Sequence, residues 1–184
     1  MLTAGCHGQQ SALSPRGPDA ESYAVLAYVM TAGGTAIFLA VMALLAVAIL
    51  RPGRPRWMRG RAMVIGGGIV FPVVTLTALL VYGLVLTGGT ARPFAADALR
   101  VEVVGEQFWW RVRYLDRDGR AAFETANEIR IPTGREVALV LTSRDVIHSF
   151  WVPSLAGKLD MIPGRVNTLR IQATSAGTYR GQCA

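Results

Sequence analysis

The chain has 184 residues, of which 52% are apolar and only 17% are charged, and its formal net charge is +7. A typical soluble domain is about 25% charged, so the composition argues against an ordinary soluble globule, and it also excludes intrinsic disorder. At about 100–200 residues per domain, the length allows one compact domain and an anchor.

The excess positive charge is concentrated in one short segment. Five arginines lie within residues 51–61, whereas residues 98–184 hold 12 basic and 9 acidic side chains. A nucleic-acid-binding protein carries its basic face on the folded domain. We therefore expect no nucleic-acid partner.

The N-terminal residues 1–21 are predicted to form an exported, exposed lead. Its Leu2-Thr3-Ala4-Gly5-Cys6 segment resembles the end of a bacterial lipoprotein signal, in which Cys6 would be lipidated. Only five residues precede Cys6, and a signal needs a basic region followed by 7–15 apolar residues. Either translation begins further upstream or the match is coincidental. A disulfide between Cys6 and Cys183 is a third, less favoured possibility in an oxidising compartment.

Two uncharged segments, residues 22–50 and 62–91, are long enough to cross a membrane, which takes about 20 apolar residues. The alternative, a pair of buried core helices, is uncommon in so small a protein. Because short Arg-rich loops stay in the cytoplasm, residues 51–61 are predicted to be cytoplasmic, with both termini on the other side.

After residue 98 the pattern changes to short alternating apolar runs separated by turn residues, which predicts a small β-sandwich over residues 98–184. The predicted strands are Arg100–Val104, Gln107–Leu115, Glu128–Ile131, Glu136–Thr142, Ile147–Val152 and Arg165–Ala173. The predicted fold is thus a two-helix transmembrane hairpin followed by an all-β domain.

This β domain contains one histidine, His148, and one cysteine, Cys183. A lone histidine is usually structural, and a cysteine at a chain end is usually incidental. His148 lies in an apolar strand, however, where its ring needs a polar partner, and imidazole with thiolate is a ligand pair that suits copper.

Four segments of the chain, in order and spacing, closely resemble subunit II of the haem-copper cytochrome c oxidases. They are Gly105-Glu106-Gln107-Phe108-Trp109-Trp110, the segment from Asp145 to Leu155, the segment from Lys158 to Arg165, and Gly177-Thr178-Tyr179-Arg180-Gly181-Gln182-Cys183. The resemblance runs from about Asp19 to Ala184 and implies a cupredoxin-like exported domain.

The resemblance implies a subunit that takes electrons from cytochrome c at a dinuclear copper centre, CuA, and passes them to haem in subunit I. His148 then corresponds to one imidazole ligand and Cys183 to the first bridging thiolate. The family's other four ligands, a carbonyl donor, a second cysteine, a histidine and a methionine, follow that cysteine and are absent from this chain. We therefore expect the 184 residues not to assemble CuA alone, and we interpret the chain as C-terminally truncated.

Several alternatives remain open. A mononuclear blue-copper site also uses histidine and cysteine ligands, and only the neighbouring motifs favour the dinuclear centre. A copper-free quinol oxidase subunit II acting as an assembly module would have the same fold, although retention of both His148 and Cys183 argues against it. A non-functional gene fragment is the third alternative.

The resemblance also assigns weaker roles. The electron-uptake region of the family corresponds to Phe108, Trp109 and Trp110, and the alternative for these residues is core packing. The loop that contacts subunit I corresponds to Asp160 and Arg165, and the alternative for these two is an exposed turn.

The predicted location is the bacterial inner (cell) membrane, as a multi-pass subunit of a proton-translocating oxidase that is not catalytic alone. The C-terminal domain would lie in the periplasm or outside. The predicted partners are subunit I, other oxidase subunits, the membrane, and a cytochrome c or fused haem c domain.

Overall fold

The computed structural model describes residues 8, 10–50, 60–88, 93–95, 97–116 and 118–184. They form two compact units, one made of residues 1–24 and 90–184 and the other of residues 25–89. Cys6 and four of the five clustered arginines lie outside the described residues.

The helical unit is built from two long apolar helices, α1 (Pro18–Leu50) and α2 (Arg61–Thr87). Both are long and apolar enough to cross a membrane. Among the described residues, no part of the most apolar stretch of either helix is buried. A soluble core helix would be covered by protein, so these helices fit a membrane anchor better than the buried-helix alternative.

The two helices touch where α1 begins and α2 ends. A Cβ built on Gly83 of α2 would lie 4.0 Å from the Cδ atoms of Leu26, which is an ordinary van der Waals distance. The contact joins the first third of α1 to the last turns of α2, which is where a helical hairpin brings its two helices together. Within α2, residues Gly66–Val70 are π-helical, and Pro72 follows two residues later.

In the described residues of the second unit there are seven strands. They are β1 (Leu99–Glu106), β2 (Trp109–Leu115), β3 (Ala121–Ala126), β4 (Val137–Ser143), β5 (His148–Phe150), β6 (Leu159–Met161) and β7 (Asn167–Ile171). Five of them form a sheet in the order β3-β2-β1-β4-β7, and β5 pairs with β6 in a second sheet. Among these seven strands β1 and β4 pair in parallel, and the other pairings are antiparallel.

The hydrophobic core lies between these two layers. Val103, Leu139 and Leu141 of the large sheet are completely buried, and Phe150 and Met161 of the small sheet are at most 1% exposed. Along β1 the alternation of inward valines with outward polar residues produces this one-sided burial. The predicted combination of two apolar helices and a β-sandwich is confirmed.

The predicted strand Glu128–Ile131 is wrong. The third strand is Ala121–Ala126, and Ile129 and Ile131 pack against the core from an irregular segment. In that segment the Tyr114 hydroxyl accepts from the Arg130 backbone N–H and donates to the Arg130 carbonyl, at 2.5 Å and 3.0 Å. A side chain therefore satisfies the backbone groups that a strand ladder would otherwise pair.

The N-terminal lead was predicted to be exposed, but the residues directly before α1 pack against the β unit. The backbone N–H of Arg16 donates to the Ser154 carbonyl at 2.7 Å, and the Arg16 carbonyl accepts from the Thr174 N–H at 2.8 Å. Gly17 is buried, and α1 begins at the next residue, Pro18. The segment before α1 is thus part of the β unit.

Candidate metal site

His148 is the first residue of β5, and its side chain is only 10% exposed. Its ring lies against Gly105 of β1, where a Cβ would come within 2.7 Å of the ring atom Cδ2. The ring nitrogen Nε2 lies 2.7 Å from Oδ1 of Asp145. With one edge against Gly105 and Nε2 engaged, Nδ1 is the ring nitrogen that remains for another ligand.

The Asp145 carboxylate is the centre of the contacts around His148. Its Oδ1 also accepts from the Val146 backbone N–H at 2.6 Å, and its Oδ2 accepts from the Gln107 N–H at 2.7 Å. The hydrogen bond from His148, followed by the bond from Val146, lowers the pKa of Asp145 to about 2. Hydrogen bonds of this kind favour the ionised carboxylate.

Cys183 reaches the same strand from the C-terminal segment. The preceding residue, Gln182, pairs with Trp151 through two backbone hydrogen bonds, of 2.8 Å and 3.2 Å. This pairing places the Cys183 Sγ atom 3.3 Å from the backbone nitrogen of Ser149, the residue after His148. The thiol is exposed, and it forms no disulfide within the part of the chain that the structure describes.

Histidine and cysteine, 35 positions apart in the chain, are therefore brought to one end of β5. Imidazole nitrogen and thiolate sulfur are ligands that suit copper and zinc. Within the described residues, however, no group of three or more His, Cys, Asp or Glu side chains could hold a metal ion. His148 and Cys183 therefore fit as two ligands of a site that needs further donors.

The three predicted aromatic residues have different environments. Phe108, in the turn between β1 and β2, is 93% exposed. The Trp109 ring lies under the Arg111 guanidinium at 4.9 Å, and the Trp110 ring packs on Phe150 at 4.8 Å, against the core. Phe108 is thus the most exposed member of the cluster.

The two residues predicted to contact subunit I lie on and after β6. Asp160 is exposed, and its Oδ1 accepts from the Ser149 hydroxyl at 2.6 Å, so it is linked to the residue that contacts Cys183. Arg165 is exposed in the turn after β6, where its N–H donates to the Ile162 carbonyl at 3.1 Å. Only Asp160 is connected to the His148–Cys183 end of β5.

Sequence reasoning missed Asp145. It lies three positions before His148, in the turn between β4 and β5, which is a spacing that allows a local side-chain contact. A carboxylate just upstream of a candidate histidine ligand was an available signal, because metal-binding histidines usually donate their second ring N–H to such a group.

Comparison with known proteins gives one consistent family. A family model described as the periplasmic domain of cytochrome c oxidase subunit II matches residues 113–184. Cytochrome c oxidase subunit 2 of Alkalihalophilus pseudofirmus is 31% identical over 198 residues, covering all of this chain and 57% of that protein. The Thermostichus vulcanus protein of the same name is 46% identical over 89 residues, covering 48% of this chain and 25% of that protein.

A similar solved structure is the periplasmic domain of cytochrome oxidase subunit II of Bradyrhizobium japonicum. It is 30% identical, with a TM-score of 0.44, covering 49% of this chain and 73% of that chain. The chain spans about half the length of the Alkalihalophilus pseudofirmus relative and a quarter of the Thermostichus vulcanus relative.

Proposed function

From the match of residues 113–184 to the subunit II family model and the 31% identity to the Alkalihalophilus pseudofirmus protein, we infer that the chain is a member of the cytochrome c oxidase subunit II family, and we propose that it serves as the electron-uptake subunit of a terminal respiratory oxidase. In this role it receives electrons from cytochrome c, or from a fused haem c domain, and delivers them to haem in subunit I for oxygen reduction. A dinuclear copper centre, when bound, supplies the one-electron redox chemistry.

The observation that carries the proposal is the approach of Cys183 to β5. Its Sγ atom lies 3.3 Å from the Ser149 nitrogen, next to His148, although the two candidate ligands come from distant parts of the chain. Packing alone does not require a thiol at this position, since the Cys183 side chain is exposed. A shared metal ion would explain why the C-terminal segment places a thiol beside the residue that follows His148.

The side chains and backbone around the proposed site orient the metal ligands and influence the reduction potential. Nδ1 of His148 and Sγ of Cys183 are the proposed donors, and the Ser149 N–H donates to the sulfur. Hydrogen bonds to ligand atoms and a rigid surrounding sheet fix ligand geometry and tune the reduction potential. A geometry that changes little between oxidation states favours fast electron transfer.

Phe108 and Asp160 suggest how electrons arrive and leave. Phe108 is almost fully exposed at the β1–β2 turn, which suits contact with a donor protein, with Trp109 and Trp110 behind it. Asp160 and Arg165 are proposed to face subunit I, because Asp160 is joined to β5 through Ser149.

We place the protein in a bacterial inner (cell) membrane. Residues 22–50 and 62–91 form the two spans, residues 51–61 the cytoplasmic loop, and residues 98–184 the exported copper domain, with residues 1–21 on the same side as that domain. The arginine-rich loop supports this orientation. Cys6 is proposed as the lipid-modified residue.

The proposal is tested by copper binding to the chain extended after Ala184 with the residues that follow the position corresponding to Ala184 in the Alkalihalophilus pseudofirmus protein. We expect about two copper ions per chain, with the visible absorption of a thiolate–copper centre, as the family pattern requires. His148→Ala should remove most of the bound copper and the absorption band.

The matched control is His7→Ala, because His7 is the only other histidine in the chain. It should retain both copper ions. Copper binding that survives His148→Ala would overturn the ligand assignment. Failure of the extended chain to bind copper would overturn the electron-uptake role in favour of a copper-free assembly module.

A further inference from the structure

The turn between β4 and β5 is tied to the turn between β1 and β2 through a single side chain. Asp145 Oδ1 lies 2.7 Å from His148 Nε2, and Asp145 Oδ2 accepts from the Gln107 backbone N–H at 2.7 Å. Gln107 directly precedes the exposed Phe108. One carboxylate thus contacts both the candidate ligand and the turn that carries the candidate docking residue.

The partners of this carboxylate determine its hydrogen-bonding role. The backbone N–H groups of Val146 and Gln107 can only donate, so both Asp145 oxygens are acceptors. An acceptor facing His148 Nε2 requires the proton on that nitrogen. The Nδ1 lone pair is then directed to the other side of the ring.

Ser143 supports the same arrangement from the end of β4. It is buried, and its hydroxyl donates to the Val146 carbonyl at 2.5 Å while its oxygen accepts from the Asp145 N–H at 3.3 Å. These bonds restrict the backbone on both sides of Asp145. The carboxylate is therefore held in place independently of His148.

We propose that Asp145 is a positioning residue, which fixes the His148 ring with Nδ1 available for metal and holds the Phe108 turn at a constant distance from that ring. The inference rests on the proposed function, because it gives His148 the role of a ligand. Asp145 itself contacts no metal in this scheme and is not a catalytic residue.

The inference can be tested in the full chain without any metal. The chain has two histidines, so selective ¹⁵N-histidine labelling gives two ring spectra, and His7→Ala assigns them. In the wild type we expect His148 to carry its proton on Nε2, with an N–H signal that exchanges slowly with water. The Gln107 amide should also exchange slowly.

Two substitutions separate the two contacts. Asp145→Asn keeps an oxygen for His148 and Val146 but turns an NH₂ group towards the Gln107 N–H. Loss of a hydrogen bond to a charged group changes a local opening equilibrium roughly tenfold. The amide hydrogen of Gln107 should therefore exchange with water roughly tenfold faster, while the His148 tautomer is retained. Asp145→Ala should accelerate Gln107 exchange and also give His148 a mixture of tautomers.

Asp118→Ala is the control, because Asp118 is an exposed residue of the β2–β3 turn. It should change neither signal, and slow exchange of the Leu139 and Leu141 amides in every variant shows that the core remains folded. In the copper-loaded extended chain, Asp145→Ala should shift the reduction potential, whereas Asp118→Ala should not.

A wild-type His148 protonated on Nδ1, or an Asp145→Ala chain with both signals unchanged, would overturn the inference. These outcomes differ from failure of the proposed function. Absence of copper binding with the hydrogen bonds present removes only the electron-uptake role, and copper binding with a freely exchanging His148 ring removes only the role of Asp145.

Discussion

Gly105 and His148 are packed so closely that the glycine cannot carry a side chain without displacing the ring. A Cβ on Gly105 would lie 2.7 Å from Cδ2, 2.8 Å from Cγ and 3.1 Å from Cβ of His148. The ring cannot move away freely, because its Nε2 is bound to Asp145. The absence of a side chain in β1 is thus part of the geometry of the candidate metal site.

Gly105→Ala should therefore destabilise the β unit. Adding a methyl group to a tightly packed site typically costs about 1–3 kcal/mol. The change is measured as the free energy of unfolding of the full chain in nanodiscs, followed by tryptophan fluorescence. In the copper-loaded extended chain the same substitution should weaken copper binding.

Gly177→Ala is the matched control. A Cβ there would meet only the Tyr179 side chain, at 3.5 Å or more, which is an ordinary contact. We expect its stability to remain within about 0.5 kcal/mol of the wild type. Equal stability of the two variants would mean that the His148 ring is free to move away from Gly105.

Gly17→Ala should detach the segment before α1 from the β unit. A Cβ on Gly17 would lie 2.5 Å from the Gln172 carbonyl oxygen and 2.7 Å from that of Leu155, and these backbone atoms cannot move cheaply. Faster trypsin cleavage after Arg16 and faster amide exchange at Thr174 would report the detachment.

The control for this prediction is Gly8→Ala, because nothing lies within 4 Å of the added Cβ. It should leave both readouts at wild-type values. Protection of Arg16 from trypsin in Gly17→Ala would show that the segment can shift without losing its hydrogen bonds to Ser154 and Thr174.

Acid should weaken the ion-pair network on the outer face of the large sheet. Glu124 accepts from Arg111 Nη1 at 2.7 Å and from Arg113 Nε at 2.9 Å, and the hydrogen bond from Arg113 is the main cause of the lowered pKa of Glu124. Because the folded pKa is below the unfolded value of about 4.3, the contribution is present above that pH and is lost as pH falls through the folded pKa.

Glu124→Gln should therefore lower stability at neutral pH and show a shallower loss between about pH 5 and pH 3 than the wild type. Thermal unfolding in a pH series at low salt measures this, and added salt should reduce the difference. Glu128→Gln is the control, since Glu128 is 72% exposed and pairs with Arg130 only at 3.5 Å. Parallel pH profiles for wild type and Glu124→Gln would contradict the prediction.

The composition of long segments and the periodicity of apolar residues were sufficient to predict most of the fold. The uncharged stretches became α1 and α2, and the short apolar runs of β1 and β4 were strong enough to mark both strands. The strand β6 was not predicted, because its three residues, Leu159–Met161, are too few to show a period. Its pairing with β5 is a tertiary contact.

The candidate site was predictable in part. His148 and Cys183 were identified from their residue types and motifs, but their approach depends on the Trp151–Gln182 pairing, which no local pattern encodes. The contact of Asp145 with His148 had a local signal that was overlooked, whereas its hydrogen bond from Gln107, 38 positions away in another turn, had none.

Arg170 provides the last prediction, because it is a buried charge with several specific partners. Its side chain is 3% exposed, Nε lies 3.0 Å from Glu136 Oε2, and Nη2 donates to the Pro93 carbonyl at 3.0 Å. Its guanidinium also lies 4.7 Å from the centre of the Phe94 ring, and Glu136 accepts from the Ala95 N–H at 3.0 Å. The pair therefore fastens residues 93–95 to β4 and β7.

Arg170→Met should destabilise the β unit by about 3–5 kcal/mol, because it leaves the largely buried Glu136 carboxylate without its arginine. Adding Glu136→Gln should recover part of the loss, since the neutral amide still accepts from the Ala95 N–H. A double-mutant cycle on the free energy of unfolding of the full chain measures the coupling.

The control is Arg130→Met, because the Arg130 side chain is 89% exposed, and it should change stability by at most about 0.5 kcal/mol. If the double variant is no more stable than Arg170→Met, the loss comes from the contacts of Arg170 with Pro93 and Phe94 and not from its pairing with Glu136.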